Sequence, residues 1–192
     1  MQLLAGLVAA WSQSHRHYHG LRHLQESLNL LKRWGRNEPA QHQIGVALWF
    51  HDAVYDPTRQ DNEERSARWA TSALRHLGVD DDVRRRIAKL IRATAHLSPS
   101  PSAQVATVPG MALLLDIDLA ILGADRARFE EYERHLRLEY AHVTDADFAQ
   151  ARGAFLRSLL AAPIYRTDIA RAELESRARE NLARSLQRLQ TE

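Results

Sequence analysis

Apolar residues along this chain recur every three or four positions and almost never alternate singly with polar ones, a pattern that predicts helices rather than half-buried strands. Between Leu21 and Trp34, Leu24, Leu28 and Leu31 fall at i, i+4 and i+7 on one helical face, and Gly35 can stop that helix. Ala40 to Asp52 reads as a buried helix carrying Ile44, Val46, Leu48, Trp49 and Phe50 and ending in Trp-Phe-His-Asp. AVYDPTRQ is then a loop, with Pro57 as the breaker. Asp61 and Glu64 have the spacing of a capping box, which opens a helix towards Gly78. Asp80 to Asp82 put negative charge at the start of the next helix, where the macrodipole favours it, and Ile87, Leu90 and Ile91 lead on towards Thr94 and His96.

LSPSPSAQVATVPG holds three of the six prolines and is the clearest loop. MALLLDIDLAIL follows as a buried helix closed by Gly123. Asp125 and the Thr144 to Asp145 pair serve as caps for two amphipathic helices, roughly 126 to 142 and 146 to 161. Pro163 separates these from a last helix over about 169 to 190. The expectation is an all-α chain of about eight helices, without repeats. MQLLAGLVAAW has something of the apolar core of a signal peptide, yet it shows no basic leader and no convincing small-residue cleavage site. It is expected as a first amphipathic helix, which implies a cytoplasmic protein.

Composition narrows the chemistry. A length of 192 residues suits one domain, or one with an appendage, and 45% hydrophobic with 26% charged residues is ordinary for a globular chain. Without cysteine there is no disulfide scaffold, zinc finger or thiol nucleophile, so any metal must be held by His, Asp or Glu. Only Lys32 and Lys89 among the 26 basic residues are lysine, but the basic groups spread evenly, which speaks against a nucleic-acid partner. No run approaches the roughly 18 apolar residues that would span a bilayer, so no membrane is expected.

The histidines are uneven: His15, His17, His19 and His23 fall within nine residues. Charged groups also interrupt segments that read as core, namely His51-Asp52 after Leu-Trp-Phe, and Asp116 and Asp118 within MALLLDIDLAIL. A buried carboxylate needs a cation, a hydrogen-bond network or a metal. His19 and His23, four apart, share a helical face. Imidazoles and carboxylates from three separate helices make a donor set suited to Mn, Fe, Co, Ni, Zn or Mg.

HYHGLRHL, WFHDAVYD and LLLDIDLAILG together resemble the signature of the HD superfamily of metal-dependent phosphohydrolases, in which His, then His-Asp, then a distant Asp stand on a helical core. NEERSA, Ile164 to Thr167 (IYRT) and Arg179 to Leu182 (RENL) extend the similarity to a bacterial metal-dependent hydrolase group within that superfamily. The resemblance implies a single HD-type helical domain over 1–192, with a metal-binding core at about 15–123 and a C-terminal helical extension at about 124–192. It implies His23, His51, Asp52 and Asp118 as ligands of a divalent metal, with Asp116 as the alternative to Asp118. Asp118 is preferred because Asp-Leu-Ala is similar to the Asp-Leu-Ser of the related cyclic-nucleotide phosphodiesterases. In that branch a general-acid His precedes the metal-binding His by one turn, which implies His19 as proton donor, although Gly20 stands where the branch has Asn.

Around this core Arg16 is suited to bind a phosphate bidentately. Glu64, with its neighbour Glu63, and His96 are further candidate ligands for the first metal or a second. Tyr55 and Asp56 would border a pocket. His15 and His17 read as solvated, and His42, His76, His135 and His142 as surface or helix-face residues. The expected activity is hydrolysis of a phosphate ester, in a nucleotide or another small phosphorylated metabolite, with Asp52 and His19 in the catalytic set. The rivals are a non-catalytic nucleotide- or metal-sensing helical module and a two-iron HD oxygenase. The amphipathic C-terminal helices would also serve a homodimer.

Overall fold

The helical periodicity has its counterpart in the fold: in a computed structural model, which describes residues 2–95 and 108–189, every regular element is helical. Among the described residues nine α-helices follow one another: α1 (Gln2–Trp11), α2 (Leu21–Trp34), α3 (Gln41–Phe50), α4 (Asn62–His76), α5 (Asp81–Ala93), α6 (Met111–Asp118), α7 (Arg126–Glu139), α8 (Asp145–Leu160) and α9 (Asp168–Leu189). A 3₁₀ turn, Leu119–Gly123, continues α6. The chain forms two compact units that divide between Leu115 and Asp116, inside α6. His96 and most of LSPSPSAQVATVPG lie outside the described residues.

In the first unit α3 is the central element, packing against α2, α4 and α5. Its Ile44, Ala47 and Leu48 are fully buried, with Leu24, Leu31, Leu90, Ile91 and Leu114 among the surrounding core. Helix α4 ends in a Schellman motif: the Gly78 amide donates to Arg75 O and that of Val79 to Leu74 O. Gly78 there has φ +72°, a left-handed conformation that glycine adopts without steric penalty. Asp80 caps α5 by accepting from the amides of Asp82 and Val83.

The expected capping box at α4 is not formed. Asp61 holds the N-cap position without a side-chain cap bond and is instead bound by the Arg59 fork, through Nε at 2.7 Å and Nη2 at 2.8 Å. A charge-assisted two-pronged partner displaces the weaker backbone cap.

In the second unit α9 packs against the 3₁₀ turn and against α8, and α7 packs against the same turn. Asp125 and Thr144 cap α7 and α8 as the sequence predicts, accepting from Arg128 N and Asp147 N. Phe129, Leu156, Tyr165, Ala178 and Leu182 are buried. Asn181 ties α9 to the turn by donating to Leu122 O and Ala124 O.

Candidate metal centre

Helix ends deliver the site. His23 stands in the first turn of α2, whose N-terminus is set by Gly20, and His51 and Asp52 occupy the turn that leaves α3. Both imidazoles are buried, and Asp52 is 9% exposed. His23 Nε2 lies 3.2 Å from His51 Nε2, and Asp52 Oδ2 lies 3.1 Å from His51 Nε2 and 3.9 Å from His23 Nε2. These three are the one group of three or more His, Asp or Glu donors fit to hold a metal ion among the described residues.

The far sides of both rings are held. His51 Nδ1 lies 2.9 Å from Leu48 O, and because a carbonyl only accepts, that nitrogen carries the proton and Nε2 presents its lone pair. His23 Nδ1 lies 3.1 Å from the Tyr18 hydroxyl, which can accept or donate. If the hydroxyl accepts, both Nε2 lone pairs and a carboxylate oxygen converge on one point. Cis ligands of an ion with bonds of about 2.1 Å stand about 3 Å apart, so two of the three separations fit directly. If the hydroxyl donates, His23 Nε2–H donates to His51 Nε2 and the two rings form a hydrogen-bond chain from Tyr18 to Leu48 O.

Trp11 backs this group, with its ring centroid 5.5 Å from that of His51 and its Nε1 donating to Trp49 O at 3.0 Å. An indole at that position excludes water from the inner side of the imidazoles. His19 is half-buried beside the group, its ring 6.0 Å from His23 and stacked on Tyr55 at 4.4 Å.

Arg16, which the sequence suggested for a phosphate, is 8% exposed and turned inward. Its Nη1 donates to Asp52 O at 2.7 Å and to His19 O at 3.0 Å, its Nη2 to Ala53 O at 3.2 Å, and its Nε to Gln13 Oε1 at 3.1 Å. Those bonds direct the guanidinium to the chain itself rather than outward to a ligand.

The loop after the His-Asp pair is fastened by α4. Asn62 Nδ2 donates to Asp56 O at 2.8 Å, and the Asp56 amide donates to Asn62 Oδ1 at 3.1 Å. Ser66 accepts from the Val54 amide at 3.0 Å. Asn62 and Ser66 of NEERSA thus fasten this loop. Glu64 faces elsewhere: its carboxylate accepts from Arg92 and Arg68, which hold its pKa down at about 2, and it is outside the donor group. Asp56 itself accepts from the hydroxyl and amide of Thr58, which lowers its pKa. Tyr55 and Asp56 line an open cleft of about 790 Å³ with Gln13, His15, Arg65 and Trp69, among others.

The two candidate aspartates of α6 belong to the second unit. Asp116 is fully buried and is taken up there: it accepts from Arg166 N at 2.9 and 3.0 Å, Thr167 N at 2.6 Å and Thr167 Oγ1 at 2.7 Å. Burial pushes its carboxyl above the ordinary value, against the pull of those hydrogen bonds. The IYRT segment is therefore a cradle for a carboxylate. Asp118, the last residue of α6, is half-buried.

Trp11, Tyr18 and the Leu48 carbonyl were not singled out by sequence reasoning. Tyr18 carried a signal, a hydroxyl five residues before His23; a main-chain carbonyl carries none. Comparison of the chain with protein-family models, curated proteins and solved structures finds no match.

Proposed function

We propose that this chain is a metal-dependent phosphohydrolase acting on a nucleotide or another small phosphate ester. The observation that carries the reading is the convergence of His23 Nε2, His51 Nε2 and Asp52 Oδ2. A thiolate-free set of two imidazoles and a carboxylate suits a borderline divalent cation such as Mn, Fe, Co, Ni or Zn, with Mg the hardest candidate. The resemblance to HD proteins adds Asp118 as a fourth ligand, and Asp116, already engaged by Arg166 and Thr167, is the weaker choice. When bound, such an ion supplies positive charge that polarises a phosphoryl oxygen and acidifies water.

The chain's own groups do the rest. Leu48 O and Tyr18 orient the two rings, and Trp11 keeps water from their inner side. His19, stacked on Tyr55 beside His23, is placed to hold a proton for the departing oxygen.

The test is metal analysis of purified protein, then a screen of phosphomonoesters and cyclic nucleotides with added divalent ions, comparing wild type with Asp52→Ala. Expected are one tightly held ion and turnover, both lost in the variant. Protein that takes up no ion and behaves identically after the substitution overturns the proposal. Binding of a nucleotide without turnover favours the sensing module, and iron-specific oxygen uptake the oxygenase. His19→Ala should lower turnover at unchanged metal content.

A further inference from the structure

The geometry points to Arg16 as a positioning residue for the metal centre, a strut that fixes the segment entering α2 against the turn that leaves α3. The inference rests on reading His23, His51 and Asp52 as ligands. Those ligands come from two segments about 30 residues apart, and their separations are set by how rigidly the segments are joined. Arg16 joins them through the main chain. One nitrogen, Nη1, bridges His19 O on the first segment and Asp52 O on the second, while Nη2 reaches Ala53 O beside it. The guanidinium carbon also lies 5.6 Å from the Trp11 ring centroid and 5.3 Å from that of Tyr55, so the flat group is flanked by aromatic rings as well as anchored at its edge.

Several other arginines pair with acids on the same helix at exposed sites, such as Arg68 with Glu64 and Arg126 with Glu130. At Arg16 the partners are backbone carbonyls, which move only if the backbone moves. The planar fork matters: it can donate along several directions at once while keeping its faces against aromatic rings, which a lysine ammonium cannot. Loss of the fork would let the His19–His23 segment and the His51–Asp52 turn drift apart and spread the donor atoms, while the α3 core of Ile44, Ala47 and Leu48 remained packed.

Arg16→Gln and Arg16→Lys test this, with helicity, Mn²⁺ affinity by calorimetry on the folded protein, and the imidazole ¹⁵N spectra of His23 and His51 in metal-free protein as readouts. Both variants should keep their helicity, weaken Mn²⁺ binding about 10- to 100-fold, the usual range for groups that orient ligands, and shift or broaden the two imidazole signals. If Arg16→Gln fails to fold, Arg16→Lys, which keeps the charge and the aliphatic stem, carries the test. Affinity within twofold of wild type and unchanged imidazole signals overturn the proposal. Wild type that binds no divalent ion would refute the metal reading instead; the imidazole spectra of metal-free Arg16→Lys then still decide whether the strut positions the rings.

Discussion

Asp116→Ala separates the two aspartates of α6 by what each loss does. The wild-type carboxylate is fully buried and accepts from two backbone amides and a hydroxyl, at 2.6 to 3.0 Å. Alanine leaves those three donors without that partner; a buried donor so orphaned costs about 1–3 kcal/mol, and these, on half-buried Arg166 and Thr167, fall in the lower part of that range. Part is returned, because the carboxylate no longer has to be desolvated, a cost visible in its raised pKa. Thr167 also starts α9, its Oγ1 lying 3.4 Å from the Ala170 amide, so the entry to that helix loosens as well. The net loss should be about 4 kcal/mol, within the range for removing one partner of a buried charged network and a large share of the roughly 5–15 kcal/mol of a typical domain. Asp116→Asn, which keeps one acceptor oxygen, should lose about half as much. Urea unfolding followed by circular dichroism measures the loss, and metal analysis of the same samples should find the ion retained. Asp118→Ala should show the converse, weakened metal binding at nearly unchanged stability. An Asp116→Ala protein that loses less than about 1 kcal/mol, or loses its ion while staying stable, refutes the reasoning and makes Asp116 the ligand.

Further predictions follow from local geometry. Glu64 has its pKa depressed from 4.5 to about 2 by Arg92 and Arg68, so its pairing stabilises the fold above pH 4.5 and that contribution disappears as the pH falls towards 2. Because its side chain is 37% exposed, screening limits the effect to about 1 kcal/mol; Glu64→Gln should flatten that arm of the stability–pH curve, and an unchanged acid limb would count against the pairing. Gly123→Ala would set a Cβ 2.6 Å from Leu174 Cβ and 2.9 Å from Leu174 O, contacts with the backbone of α9 that cannot swing away. It should lower the urea midpoint by the equivalent of about 2 kcal/mol, and a wild-type midpoint would mean that α9 can shift. Thr144→Ala removes the cap of α8 and should cost about 1 kcal/mol, read by the same unfolding assay.

The helices were legible because their signals are local. Leu24 and Leu31 mark the buried stripe of α2, and Asp125 and Thr144 sit at caps that the structure confirms atom by atom, while Asp80, read only as favourable charge, is a cap as well. Asp61 shows the limit of such signals: the same cap residue had a competing partner two positions away, and a fork outranks an amide. In the site, residue type and spacing offered a wider cluster of imidazoles and carboxylates, from which the resemblance to HD proteins picked His23, His51, Asp52 and Asp118; that the first three meet is a tertiary fact. The bonds that Arg16 makes were hidden for a related reason. An arginine beside a histidine cluster has the chemistry to bind phosphate, and nothing in its sequence neighbourhood shows that the carbonyls of Asp52 and Ala53 will lie within its reach.

The supports of the donor group explain why its geometry would persist without an ion. Leu48 O holds a proton on His51 Nδ1, so the neutral His51 ring offers its lone pair at Nε2. His23 has two choices, since the Tyr18 hydroxyl serves its Nδ1 as donor or as acceptor. In the first case His23 Nε2–H fills the His51 lone pair at 3.2 Å, and the buried ring pair is satisfied without a metal. In the second the proton sits on Nδ1 and both Nε2 atoms are open to a cation. Metal uptake would then exchange one internal hydrogen bond for ligation, with a proton relocated within one ring. Tyr18→Phe removes that switch partner. It leaves His23 Nδ1 without the hydroxyl whose oxygen would accept its proton in the ligating tautomer, so metal affinity should fall by about tenfold, the lower end for loss of such a partner. The imidazole ¹⁵N spectrum of wild type should in turn move from one His23 tautomer to the other as the ion is titrated in. A His23 ring that keeps a single tautomer throughout the titration would show that the hydroxyl does not play both parts.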